Sequence, residues 1–180
     1  AEALRSADIV YADGQAVVWA ARFLGKPLPE RVNAGDFIER FCRECATAGL
    51  SLYLLGSRPT VAEKAAGNLT SRIPGLRIVG TRDGYFELED SESVVSEINR
   101  HRPDVLLVGM GAPRQELWVA ENIGRLDVGV AWCVGALFEY VAGVRARAPV
   151  WMRKAGLEWA FRLALEPRRL WRRYLIGNWV

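Results

Sequence analysis

Asp13 closely follows the apolar run Ala7-Asp8-Ile9-Val10-Tyr11 and directly precedes Gly14. A strand that stops at such a turn presents its last polar side chain on the ligand-facing edge of a parallel sheet. A carboxylate there can take the proton from an attacking hydroxyl. Position alone suits a turn or helix-capping aspartate equally well. The densest signal is Val108-Gly109-Met110-Gly111-Ala112-Pro113-Arg114-Gln115-Glu116. A strand delivers Gly-x-Gly, and Pro113 and Gln115 then open a helix. Backbone N–H groups and the positive end of a helix dipole can meet a diphosphate in such a place. The third glycine of the dinucleotide fingerprint is missing, and Arg114 stands in its position. Tyr85, beside Gly84, can stack on a base or sugar ring; a half-buried aromatic is the alternative.

These residues need a scaffold, and the spacing supplies one. Short β-like runs at 7–11, 50–55, 76–81, 105–108 and 128–134 alternate with helical patterns at 15–24, 36–48, 60–73, 91–100, 113–122 and 136–142. Asp36 is placed to cap the second helix. The alternation predicts an α/β, Rossmann-like fold with a mostly parallel sheet and helices on both faces. The strand ends then carry Asp13-Gly14, Gly56-Ser57, Asp83-Gly84-Tyr85, Gly109-Met110-Gly111 and Gly135. Glycines at such ends let N–H groups approach a phosphate closely. No strand end carries a carboxylate pair of the metal-binding kind, and Glu89-Asp90-Ser91-Glu92 reads as a loop and a helix start. A departing phosphate is therefore expected to be met by N–H groups and arginines, with no metal and no cofactor.

The chain has 180 residues, 51% of them hydrophobic, enough for one ordinary core. No run of about 18 apolar residues is present, and no secretory signal opens the sequence. The chain begins in mid-pattern, with Ala1 to Arg5 reading as the tail of a helix, so its natural start is expected to lie upstream. Three cysteines argue against a disulfide framework. Cys42-Arg-Glu-Cys45 falls within an amphipathic helical pattern and reads as two small helix residues. His101 reads as a solvated loop residue.

Charge is uneven. Residues 151–180 hold seven Lys/Arg against two Glu, a net +5, whereas the first 150 residues net −2. Nucleic-acid binding by the body is disfavoured. Four of the seven tryptophans also fall in those thirty residues. The expected division is a catalytic domain at 1–149 and a helical appendage at 150–180, broken by Pro167 into helices at 150–165 and 168–176. Arg162, Arg169 and Arg173 share a face if the two pieces run in line. A basic, Trp-rich helix suits an anionic membrane surface, and its arginines suit a lipid diphosphate. A helix hairpin with a solvated basic edge is the alternative.

In family order, the sequence resembles the WecG/TagA/CpsF glycosyltransferases, also called glycosyltransferase family 26. The carrying segments are Ala7 to Gly14, Arg31-Val32 with Asp36-Phe37, Leu54 to Ser57, Asp83 to Phe86, Pro103 to Glu116, Val134 to Ala136, Ala142-Gly143, Arg147 to Pro149, Gly156 to Arg162 and Glu166 to Leu170. The resemblance implies inverting, metal-independent transfer of a sugar from UDP to an undecaprenyl-diphosphate-linked sugar, in the synthesis of cell-surface polysaccharide or teichoic acid. It implies Asp13 as base and Gln115 as an active-site residue. Gly84 and Tyr85 would lie near the nucleotide, together with the strand-end Gly56, Gly109, Gly111, Pro113 and Gly135. Glu139 would meet the uracil. Arg162, Arg169 and Arg172 would engage the acceptor diphosphate and the membrane. The implied place is the cytoplasmic face of the bacterial plasma membrane, as a peripheral protein; association into a homo-oligomer stays open. Ala12 replaces the family's usual Pro, the glycine spacing of Arg31 to Asp36 departs from the family's, and the family's upstream segment, with a polar active-site residue, precedes residue 1. Two other readings stand beside this one. A nicotinamide-dependent oxidoreductase lacks here both the third glycine and an acidic residue at the right strand end. A non-catalytic membrane-docking module of a polysaccharide assembly would need the tail but not Asp13.

Overall fold

The computed structural model describes residues 2–165 and 167. In chain order the elements are α1 (Glu2–Arg5), α2 (Gln15–Phe23), α3 (Ala34–Thr47), β1 (Ser51–Gly56), α4 (Val61–Arg72), β2 (Arg77–Arg82), α5 (Ser91–His101), β3 (Val105–Gly109), α6 (Arg114–Asn122), β4 (Val130–Cys133), α7 (Leu137–Val141), α8 (Val150–Lys154) and α9 (Glu158–Leu165). The chain divides into two units, Ala1–Arg145 and Ala146–Val180.

In the first unit the four strands form one parallel sheet of order β2-β1-β3-β4. Every residue of β1 and β3 is buried. That follows from the βαβ connections, which put helices on both faces and so favour near-continuous apolar strands. Side chains alternate between two cores. Leu52, Leu54, Val105 and Leu107 pack with α3, α4 and α7 on one face. Tyr53, Leu55, Leu106 and Val108 pack on the other with Val94, Val95 and Ile98 of α5 and Trp118 of α6. Cys42 and Cys45 are free and buried on the core face of α3. The order also locates the switch point. From β1 the chain moves outward to β2, then crosses to β3 on the opposite side. The crevice between the carboxyl ends of β1 and β3 is where such sheets take ligands.

Four expectations are corrected. The run Ala7–Tyr11 forms no strand; Ile9 is 82% exposed, and the segment's backbone tie is Val32 N–H to Ala12 C=O at 2.9 Å. β-Branched residues favour a strand only where a neighbour pairs with it. Asn33, not Asp36, caps α3, accepting from Gly35 N–H at 3.0 Å, while Asp36 pairs with Arg31 at 3.2 Å. His101 ends α5, where its Nδ1 lies 2.8 Å from Glu97 C=O. In the second unit a single helix over 150–165 gives way to α8 and α9. Gly156 at φ 72° ends α8, with Gly156 N–H bonded to Arg153 C=O and Leu157 N–H to Met152 C=O. That paired pattern is a Schellman stop, which glycine makes without steric cost. Among the described residues no helix is long and apolar enough to cross a membrane.

Candidate functional site

The loops leaving the carboxyl ends of the strands are strapped together by backbone contacts. Ser57 N–H donates to Gly109 C=O at 2.9 Å, and Gly84 N–H donates to Ser57 C=O at 2.9 Å. A Cβ on Gly56 would lie 2.4 Å from the Gly109 carbonyl carbon, and one on Gly109 would lie 2.9 Å from Gly135 O and the Phe138 ring. A Cβ on Gly84 would lie 2.9 Å from Met110 Cγ. Gly56, Gly84 and Gly109 are therefore glycines because the loops touch there. Gly111, at φ 83°, and Gly135, at φ 58°, have open space around them and need glycine for their backbone shape.

Gln115 ties the β3 and β4 loops. It is 4% exposed, and its Oε1 accepts from Gly111 N–H at 3.2 Å and Gly135 N–H at 3.1 Å. Its Nε2 donates to Glu116 Oε1 at 2.7 Å. The two N–H groups expected to cradle phosphate are thus already bonded to a side chain. Sequence reasoning missed this because a glutamine at a helix start gives no sign of where its amide turns. Pro113 precedes α6, and its peptide bond from Ala112 is cis. Behind Gln115, burial pushes the Cys133 thiol up to about 12, with the Glu116 carboxylate adding to it.

Asp13 is reached from β4. Trp132 of β4 donates from Nε1 to Tyr11 Oη at 2.6 Å and stacks on Phe37 of α3, ring centroids 5.4 Å apart. Burial raises the Tyr11 phenol, the Trp132 bond opposes this, and the charges of Asp13 and Cys133 add to the rise. The Asp13 carboxylate is thus close enough to the Tyr11 phenol for its charge to be felt there. Its carboxylate is exposed, and Oδ1 accepts from Asn33 Nδ2 at 2.5 Å.

The remaining expected residues divide. Tyr85 is 69% exposed, turned out beyond β2 with its N–H on Asp83 Oδ1 at 2.8 Å. That leaves the ring face open and removes the half-buried alternative. Glu139 pairs with Arg145 at 2.9 Å, both largely covered, so its carboxylate is committed within its own turn. Arg58, exposed directly after Gly56-Ser57, puts a cation on this edge that the sequence reading did not single out. In the second unit Trp151 and Trp159 are exposed, and Glu158 is buried within 4.0 Å of Arg147. The side chain of Arg162, and all of Arg169, Arg172, Arg173 and the expected helix over 168–176, lie outside the described residues. Among the described residues no cluster of three His, Cys, Asp or Glu is placed to hold a metal.

Over residues 1–180 the sequence matches the glycosyl transferase WecG/TagA/CpsF family. The chain belongs to that family. It is similar to the N-acetylglucosaminyldiphosphoundecaprenol N-acetyl-beta-D-mannosaminyltransferases of Staphylococcus aureus strains NCTC 8325 / PS 47 and COL. Each is 33% identical over 171 residues, which is 95% of this chain and 66% of the relative. The chain therefore spans slightly less than two-thirds of these relatives' length. Family membership makes the α/β scaffold one of glycosyl transferases and disfavours the oxidoreductase reading of its Gly-x-Gly.

Proposed function

We propose that the whole protein transfers an N-acetylmannosamine-type sugar from UDP to an undecaprenyl-diphosphate-linked sugar, with inversion. The observation that carries this reading is the Asp13 carboxylate held by Asn33 at the start of α3, in a chain that belongs to a glycosyl transferase family. The activity for which the relatives are named suggests the acceptor type and the sugar. In the step itself, the acceptor hydroxyl loses its proton to the Asp13 carboxylate as its oxygen attacks the anomeric carbon. The bond to UDP breaks on the opposite face, and UDP leaves with the electron pair. A single displacement inverts the centre.

Gln115 supports this chemistry by fixing the Gly111 and Gly135 loops; it does not leave those amides free for the diphosphate. The leaving charge is instead assigned to Arg58, to other N–H groups of these loops and to the tail arginines. No metal is invoked; Glu139 is paired with Arg145, and Glu116 Oε1 accepts from Gln115. The protein acts at a membrane, where its lipid-linked acceptor resides.

The test is a screen of UDP-sugars for release of UDP, with the full-length protein, a polyprenyl-diphosphate-linked N-acetylglucosamine acceptor and chelator present. Turnover with one donor, lost in Asp13→Asn, supports the reading. Turnover that needs added metal overturns the metal-free step. No turnover with any donor, together with vesicle binding, favours the docking module.

A further inference from the structure

We infer that Asn33 is a positioning residue for the base, joining the cap of α3 to the carboxylate of Asp13 through one side-chain amide. The inference rests on the reading of Asp13 as base. Its support is a hydrogen-bond count. Asn33 Oδ1 accepts from Gly35 N–H at 3.0 Å, which fills the usual cap role at the start of a 14-residue helix. That bond decides which way the amide faces, since a flipped amide would set N–H against N–H. With Oδ1 so committed, Nδ2 is directed at Asp13 Oδ1, 2.5 Å away. The pair is twenty residues apart in sequence, and the backbone bond from Val32 N–H to Ala12 C=O at 2.9 Å holds the two loops in register. The start of α3 therefore bears on the position of the Asp13 carboxylate.

The electrical consequence follows from the donor. An N–H bond to the charged form favours ionisation, so Asn33 keeps Asp13 able to accept a proton at lower pH. The described groups around the pair are the Tyr11 phenol on Asp13's own segment, Cys133 at the end of β4 behind Tyr11, and the Arg31–Asp36 ion pair on the loop and first turn that carry Asn33. Tyr11 and Cys133 are uncharged where a carboxylate titrates.

The cap and the positioning role separate by substitution. Serine caps a helix about as well as asparagine but is too short to donate to Asp13. Asn33→Ser should keep the melting temperature within a few degrees while the Asp13 carboxyl, followed by carbon-detected NMR on this chain, titrates at higher pH. Asn33→Asp keeps the cap and sets a like charge against Asp13, so it should raise that titration further. In the full-length enzyme, Asn33→Ser should lower kcat roughly tenfold, the scale of one hydrogen bond to a charged group, and move the acid limb of the pH profile upward with KM little changed. An Asp13 titration unmoved in both variants overturns the inference. Full activity in Asp13→Asn would instead sink the base reading, and the NMR result distinguishes the two failures.

Discussion

Asp13 and Gln115 are both assigned to the site, yet their predicted losses differ in kind. Asp13 is exposed, so Asp13→Asn should fold normally and lose roughly 10²–10⁴ in turnover, the range for a positioned base. Its melting curve and its rate of UDP release check this. Gln115 is buried and bridges two backbone N–H groups, so Gln115→Ala should cost about 1–3 kcal/mol on chemical denaturation. Gln115→Glu keeps the acceptor but sets a second carboxylate against Glu116 in place of the Nε2–H bond, so it should not recover that loss. Equal stability of the alanine variant and the parent would remove the bridging role. The contrast also marks what was legible in the residues. The chemistry given to the carboxylate beside Gly14 rested on a strand at 7–11 that does not form. The glutamine amide could not be placed from the pattern, because its partners are N–H groups of two glycines, one of them twenty residues away.

Among the elements, β1 and β3 were readable because burial on both faces demands unbroken apolar runs, and Gly-Ser and Gly-x-Gly mark where they stop. The run Ala7–Tyr11 is also largely apolar, apart from Asp8, but has no paired neighbour, and composition carries no signal for that. The closeness of the β1 and β3 ends was not readable either; glycines that admit a phosphate and glycines that admit another strand look alike in sequence. Gly56→Ala decides between them: its Cβ meets the Gly109 backbone at 2.4 Å, and φ there is 140°. It should destabilise the fold severely, by several kcal/mol, rather than weaken nucleotide binding alone. At the opposite end of the same strands, Asp104 accepts from Ser51 N–H and Ser51 Oγ–H, each at 2.7 Å. The Ser51 backbone bond, then its hydroxyl, hold the carboxyl below its ordinary value. A depressed folded value means that this stabilisation is present above the unfolded value of about 3.9 and is lost as pH falls through the folded one. Asp104→Asn should therefore flatten the acid side of the melting-temperature profile between about pH 5 and pH 2. An unchanged slope there would show that Asp104 contributes nothing to acid unfolding.

At the scale of the whole molecule, charge separates what folding joins. The body nets −2 and the last thirty residues net +5, with four tryptophans among them. A body of negative sign gains nothing from an anionic surface, so attraction to one must come from the tail. The diphosphate of the proposed lipid-linked acceptor is anionic as well. Removing residues 151–180 from the full-length protein should therefore abolish two things together: sedimentation with vesicles containing anionic lipid, and transfer to the polyprenyl-linked acceptor. It should leave the sheet folded, because both cores are built from residues that precede the second unit. Stabilisation by UDP should survive in part, since the switch point between β1 and β3 remains, and the rise in melting temperature should exceed that given by NADH. High salt should weaken vesicle binding of the intact protein, as expected for arginines facing phosphate. Full-rate transfer to lipid acceptor by the truncated protein would detach the tail from catalysis and leave Asp13 to work without it.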